Sequence, residues 1–474
     1  MKRIITCCDG TWNKPGQKDG GVVTMTNVQK IAHLICTTDP GGVTQLTHYH
    51  PGVGTSGNWL QRLAGGVAGS GLDQNIIEAY RFIALNYEDG DLNFIFGFSR
   101  GAYTARSLAG MIVKCGILKK EHIGRISEAF EFYRNRDPGT HPNKPLAMDF
   151  KAKYSHEPAI HFIGVWDTVG DLGIPLQPFA WLNRTKYAFH DTQLANIVRY
   201  AYHALAIDEH RKLFKPTLWQ RSENGKLGKA VQTIEQVWFP GCHSNVGGGY
   251  QNTDLSDATL HWMTDKATGA GLAFNKPFPP DIHPDIPAGM IRESLSFWWK
   301  ITQFFLTYYR TIFLQDTICI EQSVKPETYR RQNYPAPNLP PDPPNVRRLL
   351  PGQTATLTIL AAEPCSFAMI EVKAGENYQL VCDGTQRWKD ASITSSPKGY
   401  FNLLAWLYGL RLKGVPCFCL CGLYDCNDKS AFAIGSGTSL TAAQDGMISF
   451  FANDTTSFYF NNSGSLQLNI TRTS

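Results

Sequence analysis

Residues 94–112 read FIFGFSRGAYTARSLAGMI. An apolar run closes at Gly97, Ser99 lies between two glycines, and a run of small and apolar residues with helical spacing follows. This is a buried strand, a tight turn and a helix, the setting a nucleophilic serine needs. The G-x-S-x-G turn presents the hydroxyl at the strand end, and the helix behind it directs its first N–H groups and the positive end of its dipole at the same point. Glycine at 97 and 101 lets strand and helix approach closely. The pattern alone arises easily by chance; a strand running into it and a helix running out make it specific.

A serine hydroxyl is a weak nucleophile until a base takes its proton and a third group orients that base. Two later strand ends offer both. GVWDTVGDLG places Asp167 after one apolar run, and QVWFPGCHSNVGGGY places His243 after another. Gly247, Gly248 and Gly249 then leave room for a substrate or for a close backbone approach. The order Ser99, Asp167, His243 is that of α/β-hydrolase triads. Asp208 and Asp254 are alternative acids, and His203 and His210 alternative bases. LAIDEHRKLF reads as the middle or end of a helix, which suits its residues less to meeting Ser99.

The oxyanion of acyl transfer needs two converging N–H donors. Arg100 supplies one. Gly10 or Thr11 of CCDGTWN, directly after the first strand, supplies the other. A strand ending in DGT also belongs to the aspartyl-phosphate phosphatase signature. That chemistry requires an aspartate two positions before Asp9, where Cys7 stands. His48 and His50 of HYHPGVGT share a face but have no third ligand nearby, so a rim position is expected rather than a metal site. Asp9, His50, Phe98 and Trp166 are the candidates for the substrate pocket.

Strand-like and helix-like runs alternate through the first half: RIITCC, NVQKIAHLI, QLTHYH, GLDQNIIEAYRFIALNY, LNFIFGF, AIHFIGVWD and TIEQVWFPGCH. The expected fold is an α/β-hydrolase-like, mainly parallel sheet flanked by helices, with ligand sites at the carboxyl ends of its strands. YPAPNLPPDPPN (334–345) holds six prolines and reads as an extended linker. Beyond it TATLTIL, NYQLVCDG, GMISFFAND and SLQLNI alternate apolar and polar residues between turn formers, the pattern of an all-β sandwich. The expected division is a catalytic domain over 1–333, the linker, and a β-sandwich domain over 346–474.

The 474 residues are 43% hydrophobic and 18% charged, enough for large cores and too apolar for disorder. A net charge of +5 comes without a dense Lys/Arg run, so no nucleic-acid footprint is present. PCFCLC (416–421) alternates, so Cys417, Cys419 and Cys421 are expected on one strand face as small buried hydrophobes. The apolar start of MKRIITCCDGTWN stops at Asp9, so no signal peptide is expected, and no stretch reaches the length of a membrane span. In SLSFWWKITQFFLTYYRTIFL (294–314) the residues Phe297, Ile301, Phe304, Phe305, Tyr308 and Ile312 have helical spacing. This segment reads as a helix packed on the sheet or as a lid facing lipid. LGIPLQPFAWLN (172–183) is a second apolar segment expected to border the pocket.

CCDGTWN, HPGVGT, FGFSRGAYTAR, GVWDTVG, LAIDEHR and VWFPGCHSNVGGGY occur in this order. Together they resemble the hydrolase family that includes the first class of type VI secretion phospholipase effectors, over about residues 1–340, with SVKPETYRRQNYPAPNLP resembling the end of the family's domain. The resemblance implies a serine esterase or lipase acting on phospholipid acyl chains through Ser99, Asp167 and His243, with no cofactor for catalysis. It also implies export by a non-Sec secretion system as an antibacterial or anti-host effector, with a secretion-machine component and an immunity protein as partners. The alternatives are an esterase for another acyl substrate, such as an acylated glycan, and a glycan- or lipid-binding protein with an inactive hydrolase domain. GMISFFANDTTSFYFNNSGSLQLNIT (446–471) resembles the calcium-dependent galactose-binding bacterial lectin of the PA-I type. That likeness implies Ca²⁺ on Asp454, Asn461 and Asn462. The lectin's sugar-contacting histidine and glutamine are absent from the corresponding SSPKG.

Overall fold

The computed structural model describes residues 1–10, 15–52, 67–169, 197–211, 214–219, 232–275, 291–292, 294, 310, 322–324, 347–362, 370–403, 409–424, 430–455 and 459–474. Thr11, the 172–183 segment, nearly all of 294–314 and the 334–345 linker lie outside them. The chain divides into two compact units. The first comprises Met1–Ile207, Leu213–Arg292 and Ser323–Gln332; the second comprises Asp208–Lys212, Glu293–Gln322 and Asn333–Ser474. The last crossing falls between Gln332 and Asn333, and two earlier segments group with the second unit. No helix among the described residues is long and apolar enough to cross a membrane.

In chain order the first unit contains β1 (Arg3–Cys8), α1 (Asn27–Leu34), β2 (Gln45–His50), α2 (Val67–Asn86), β3 (Leu92–Phe98), α3 (Arg100–Cys115), α4 (Ile126–Arg134), α5 (Pro145–Tyr154), β4 (Ile160–Trp166), β5 (Val198–Ala206), β6 (Thr233–Phe239), α6 (His243–Gly247), α7 (Asp254–Gly269) and β7 (Gln322–Val324). Seven strands form one sheet in the order β7-β6-β5-β4-β3-β1-β2. β1 through β6 pair in parallel. Such strands are buried on both faces, which explains why RIITCC and NFIFGF are continuous apolar runs. On one face Ile5, Cys7, Phe94, Phe96, Phe98, Phe162 and Trp166 form a core with Val28 and Ile31 of α1 and with Leu260 and Met263 of α7. On the other, α3 packs on β1, β3 and β4 and also meets α2. The strand order reverses between β1 and β3. In open α/β sheets a crevice opens at that point, beyond the strands' carboxyl ends, and Asp9 and Ser99 both stand there.

The second unit includes β8 (Thr354–Leu360), β9 (Ile370–Val372), β10 (Asn377–Cys382), β11 (Trp388–Asp390), β12 (Cys417–Tyr424), β13 (Gly437–Thr441), β14 (Gly446–Ala452) and β15 (Ser465–Arg472). One sheet runs β9-β14-β12 through its middle and another runs β8-β15-β10-β13. Their inner faces share a core containing Ile370, Leu420, Ile448 and Phe450 from the first and Leu357, Ile359, Leu380, Leu468 and Ile470 from the second, so this is a sandwich. The expectation for the three cysteines is corrected. Phe418 takes φ 64°. Its N–H donates to Asn453 O (2.7 Å) while Asn453 N–H donates to Cys419 O (2.8 Å). Two residues thus oppose one, a β-bulge, and alternation is lost. Cys417 joins the core between the sheets, whereas Cys419 and Cys421 join a separate apolar cluster with Leu423, Met447 and Phe451.

Candidate functional site

Steric exclusion builds the turn at Ser99. A β-carbon at Gly97 would lie 2.5 Å from Gly101 O, and one at Gly101 would lie 2.1 Å from Cys8 O and 2.5 Å from Asp9 O. Only hydrogen fits, so β3, the start of α3 and the end of β1 converge. Between the glycines Ser99 adopts φ 58° and ψ −122°, a strained conformation for a residue with a side chain. Its N–H donates to Trp166 O (3.0 Å), which ties the turn to the end of β4. Arg100 opens α3, so its N–H belongs to the first turn, whose amides have no acceptor within the helix. Burial pushes the Arg100 guanidinium down to about 10.

Asp167 is the residue after β4 and takes φ 40°. It is fully buried. Its N–H donates to Ala204 O (2.7 Å), and the Ala206 N–H donates to its Oδ1 (3.1 Å). Its Oδ2 lies 2.6 Å from Nδ1 of His243. A carboxylate there holds the proton on Nδ1, leaving Nε2 as the nitrogen that accepts one. His243 is the first residue of α6, and its ring lies between Phe98 (centroids 4.6 Å) and Phe214 (4.9 Å, edge-on). Phe98 directly precedes Ser99, so the wall of the histidine belongs to the strand that carries the serine. Gly247 makes this possible, because a β-carbon there would fall 2.0 Å from the Phe98 ring. Gly248 meets Thr26 and Asn27 in the same way. The glycine triplet thus serves, at 247 and 248, close approach by the chain itself.

The acid turn is clamped by residues that the sequence did not single out for this role. The Thr168 N–H donates to Nε2 of His203 (3.1 Å), which is fully buried and edge-on to Trp219. His203, an alternative base by sequence, is therefore an acceptor for backbone. Thr168 O accepts the Thr217 N–H (3.0 Å), and Thr217 O accepts Arg106 of α3. Arg106 also lies 5.3 Å over Trp219. The helix behind the serine and the turn behind the acid are joined through this chain. Asp254 opens α7, where its carboxylate meets Asn252 Nδ2 (3.4 Å). Asp208 and His210 belong to the second unit.

Two expectations on the β1 side and one at the end of β4 are corrected. Asp9 is only 3% exposed, and its carboxylate accepts the Gly10 N–H (2.7 Å), the Thr26 hydroxyl (2.6 Å) and the Tyr49 hydroxyl (2.8 Å). It fastens the loop after β1 instead of lining a pocket. The Gly10 N–H already has an acceptor there, because the adjacent carboxylate reaches it more readily than an incoming oxyanion can. Trp166 is fully buried among Phe96 and Phe162 in the core. His50 is half-buried at the end of β2, with Nε2 2.8 Å from Glu78 Oε2. Burial, then the neighbouring His50, push the His48 imidazole below its ordinary value. Thr26 caps α1, its hydroxyl accepting the Gln29 N–H and donating to Asp9, a pair of contacts that the sequence analysis did not single out.

In the second unit Asp454 follows β14, Asp390 ends β11 and Cys417 starts β12. One ligand atom from each lies within 4.8 Å of the other two, and all three residues are buried. Asn462 Nδ2 donates to Asp454 Oδ2 (3.1 Å), and Asn461 Nδ2 donates to Asp390 Oδ1 (3.2 Å). The amide oxygens of both asparagines are buried and accept no hydrogen bond among the described residues. A flip of each amide, exchanging Nδ2 for the unpartnered Oδ1, would turn two hard oxygens to the buried carboxylates, a donor set that fits a calcium ion. Burial, then Asp390, push the Asp454 carboxyl up to about 7.

A parallel sheet with a strained serine at its switch point, and an acid–histidine pair at neighbouring strand ends, defines the hydrolase class of α/β protein. Residues 2–266 match the family model "T6SS, Phospholipase effector Tle1-like, catalytic domain", and the chain belongs to that family. It is 33% identical over 234 residues to an uncharacterized Saccharomyces cerevisiae protein, YEL023C, a match that spans 45% of this chain and 32% of the yeast protein. Among solved structures it is similar to the Tle1 effector bound to the VgrG spike of the type VI secretion system, with 16% identity, a TM-score of 0.34, and coverage of 63% of this chain and 77% of that one. It is also similar to the EclA N-terminal domain, a PllA-like lectin, with 16% identity, a TM-score of 0.19, and coverage of 25% and 94%.

Proposed function

We propose that this protein hydrolyses acyl esters of phospholipids by serine acyl transfer. The observation that carries the reading is the strained Ser99 at the start of α3 with the Asp167–His243 pair, at 2.6 Å, held against its strand by Phe98. His243 Nε2 takes the Ser99 proton as Oγ attacks the ester carbonyl. Asp167 keeps the ring in the reactive tautomer and stabilises the imidazolium. The N–H of Arg100 and the loop after β1, with Thr11 in place of Gly10, hold the oxyanion. Collapse of the tetrahedral intermediate passes the proton to the departing alcohol, and water releases the acyl group with His243 acting again. A fluorophosphonate should label the wild type and not Ser99→Ala. Mass spectrometry of phospholipid vesicles should show free fatty acid only with the wild type. Labelling without phospholipid loss would move the substrate to another ester, such as an acylated glycan.

The family membership supports use as a secreted effector, for which we propose a secretion-machine component and an immunity protein as partners. For the second unit we propose a calcium ion on Asp454, Asn461 and Asn462, supported by the two orphaned amide oxygens. Bound there, calcium would neutralise buried charge and hold the segment after β14. The unit's glycan-binding role is the secondary reading, tested by glycan-array binding with and without calcium.

A further inference from the structure

Two buried carboxylates face each other in the second unit, and only Asp454 is accounted for by the calcium reading. Asp390 comes from β11, far away in sequence, yet its carboxylate belongs to the same cluster. Among the described residues every hydrogen bond to the two groups comes from a neutral donor, and the Arg411 charge also acts on Asp454. Tyr400 OH (2.5 Å) and Asn461 Nδ2 (3.2 Å) serve Asp390; the Thr455 N–H (2.7 Å) and Asn462 Nδ2 (3.1 Å) serve Asp454. Asp390, Asp454 and Asn462 are 9%, 2% and 6% exposed. Two like charges so enclosed are costly unless a cation lies between them. One carboxylate would leave a buried divalent ion with net positive charge, whereas two neutralise it.

We infer that Asp390 is a second carboxylate ligand of the calcium site, which makes it a closed structural site that fastens β11 to the segment after β14. The inference rests on the calcium reading of Asp454, Asn461 and Asn462 and adds a ligand to it. Carboxylate and amide oxygens outnumber the single sulfur of Cys417, and hard oxygen donors select calcium over zinc. Asp390, Asp454 and Asn462 are buried, so the work of an ion there would be to hold β11 to the segment after β14.

The test uses the full chain, stripped with chelator and titrated with calcium chloride by calorimetry, with melting followed by scanning calorimetry. Asp390→Asn is expected to weaken calcium binding about tenfold or more. Its melting temperature without metal should equal or exceed that of the wild type, because one of two facing carboxylates has been neutralised. Asp390→Glu, which keeps the charge, should restore binding. If Asp390→Asn and Asp390→Glu both bind like the wild type while Asp454→Asn does not, calcium is present and Asp390 is not its ligand. If Asp390→Asn melts lower without metal yet gains the same increment from calcium, Asp390 is structural only and the inference is overturned. If the wild type itself binds no calcium, the underlying calcium reading fails with it. Zinc binding tighter than calcium, abolished by Cys417→Ser, would overturn the choice of ion.

Discussion

Asp167 and Asp454 are both buried carboxylates that follow a strand, and their surroundings are opposite. Asp167 meets a histidine through one oxygen and a backbone N–H through the other. Asp454 meets amide donors, which favour its charge, and a second carboxylate; burial and that carboxylate outweigh the donors and push it up to about 7. Burial alone therefore does not say what a carboxylate is for. On the functions proposed above, a titratable partner suits it to proton traffic, and a like-charged partner suits it to a cation. The backbone differs in the same sense. In the first unit the serine and the acid both carry positive φ. In the second, the bulge at Phe418 directly follows Cys417, whose Sγ lies 4.0 Å from Asp390 Oδ2.

Five outcomes would break or sharpen this contrast, from the largest effect to the smallest. Ser99→Ala should lower esterase turnover by on the order of 10⁶-fold with little change in melting. Ser99→Gly should be equally inactive but about 1 kcal/mol more stable than Ser99→Ala, because glycine relieves the positive φ; equal stabilities would deny the strain. Asp167→Asn should cost about 10⁴-fold in kcat, since the amide no longer fixes the productive tautomer. A loss under tenfold would return the acid role to another residue. Gly101→Ala forces a methyl against Cys8 O and should destabilise the first unit by about 3 kcal/mol in urea unfolding, leaving the second unit's transition unmoved. The smallest concerns Glu376 of the second unit. Burial opposes its charge, but the Tyr378 hydroxyl, the Lys373 N–H and Arg472 and Arg348 outweigh burial and hold it below the ordinary glutamate value. A depressed folded value means its stabilisation is present above about pH 4.5 and fades as pH falls through the lower folded value. Glu376→Gln should cost about 1 kcal/mol at pH 7 and flatten the acid limb of the second unit's melting profile.

The motifs around Ser99, Asp167 and His243 were legible because strand-to-turn chemistry is local: an apolar run, a glycine, a polar residue, a helix pattern. Gly97 had to be glycine because the turn itself leaves no space, whereas Gly101 is kept bare by the end of β1. The alternation of TATLTIL and SLQLNI announced a sandwich, because one face of each strand is buried and the other wet. The groups that make those residues usable were not legible. His203 and Arg106 reach the acid turn across the sheet, and Asp9 takes its donors from α1 and β2, so no sequence spacing encodes these contacts. PCFCLC misled for a related reason: alternation assumes an unbroken ladder, and the bulge at Phe418 arises from pairing with Asn453. The pairing of Asp390 with Asp454 likewise joins residues more than sixty positions apart. Local sequence determined which chemistry each strand end offers. Tertiary structure decided which of those ends meet, because only packing and long-range hydrogen bonding fix distance between segments that the chain leaves independent.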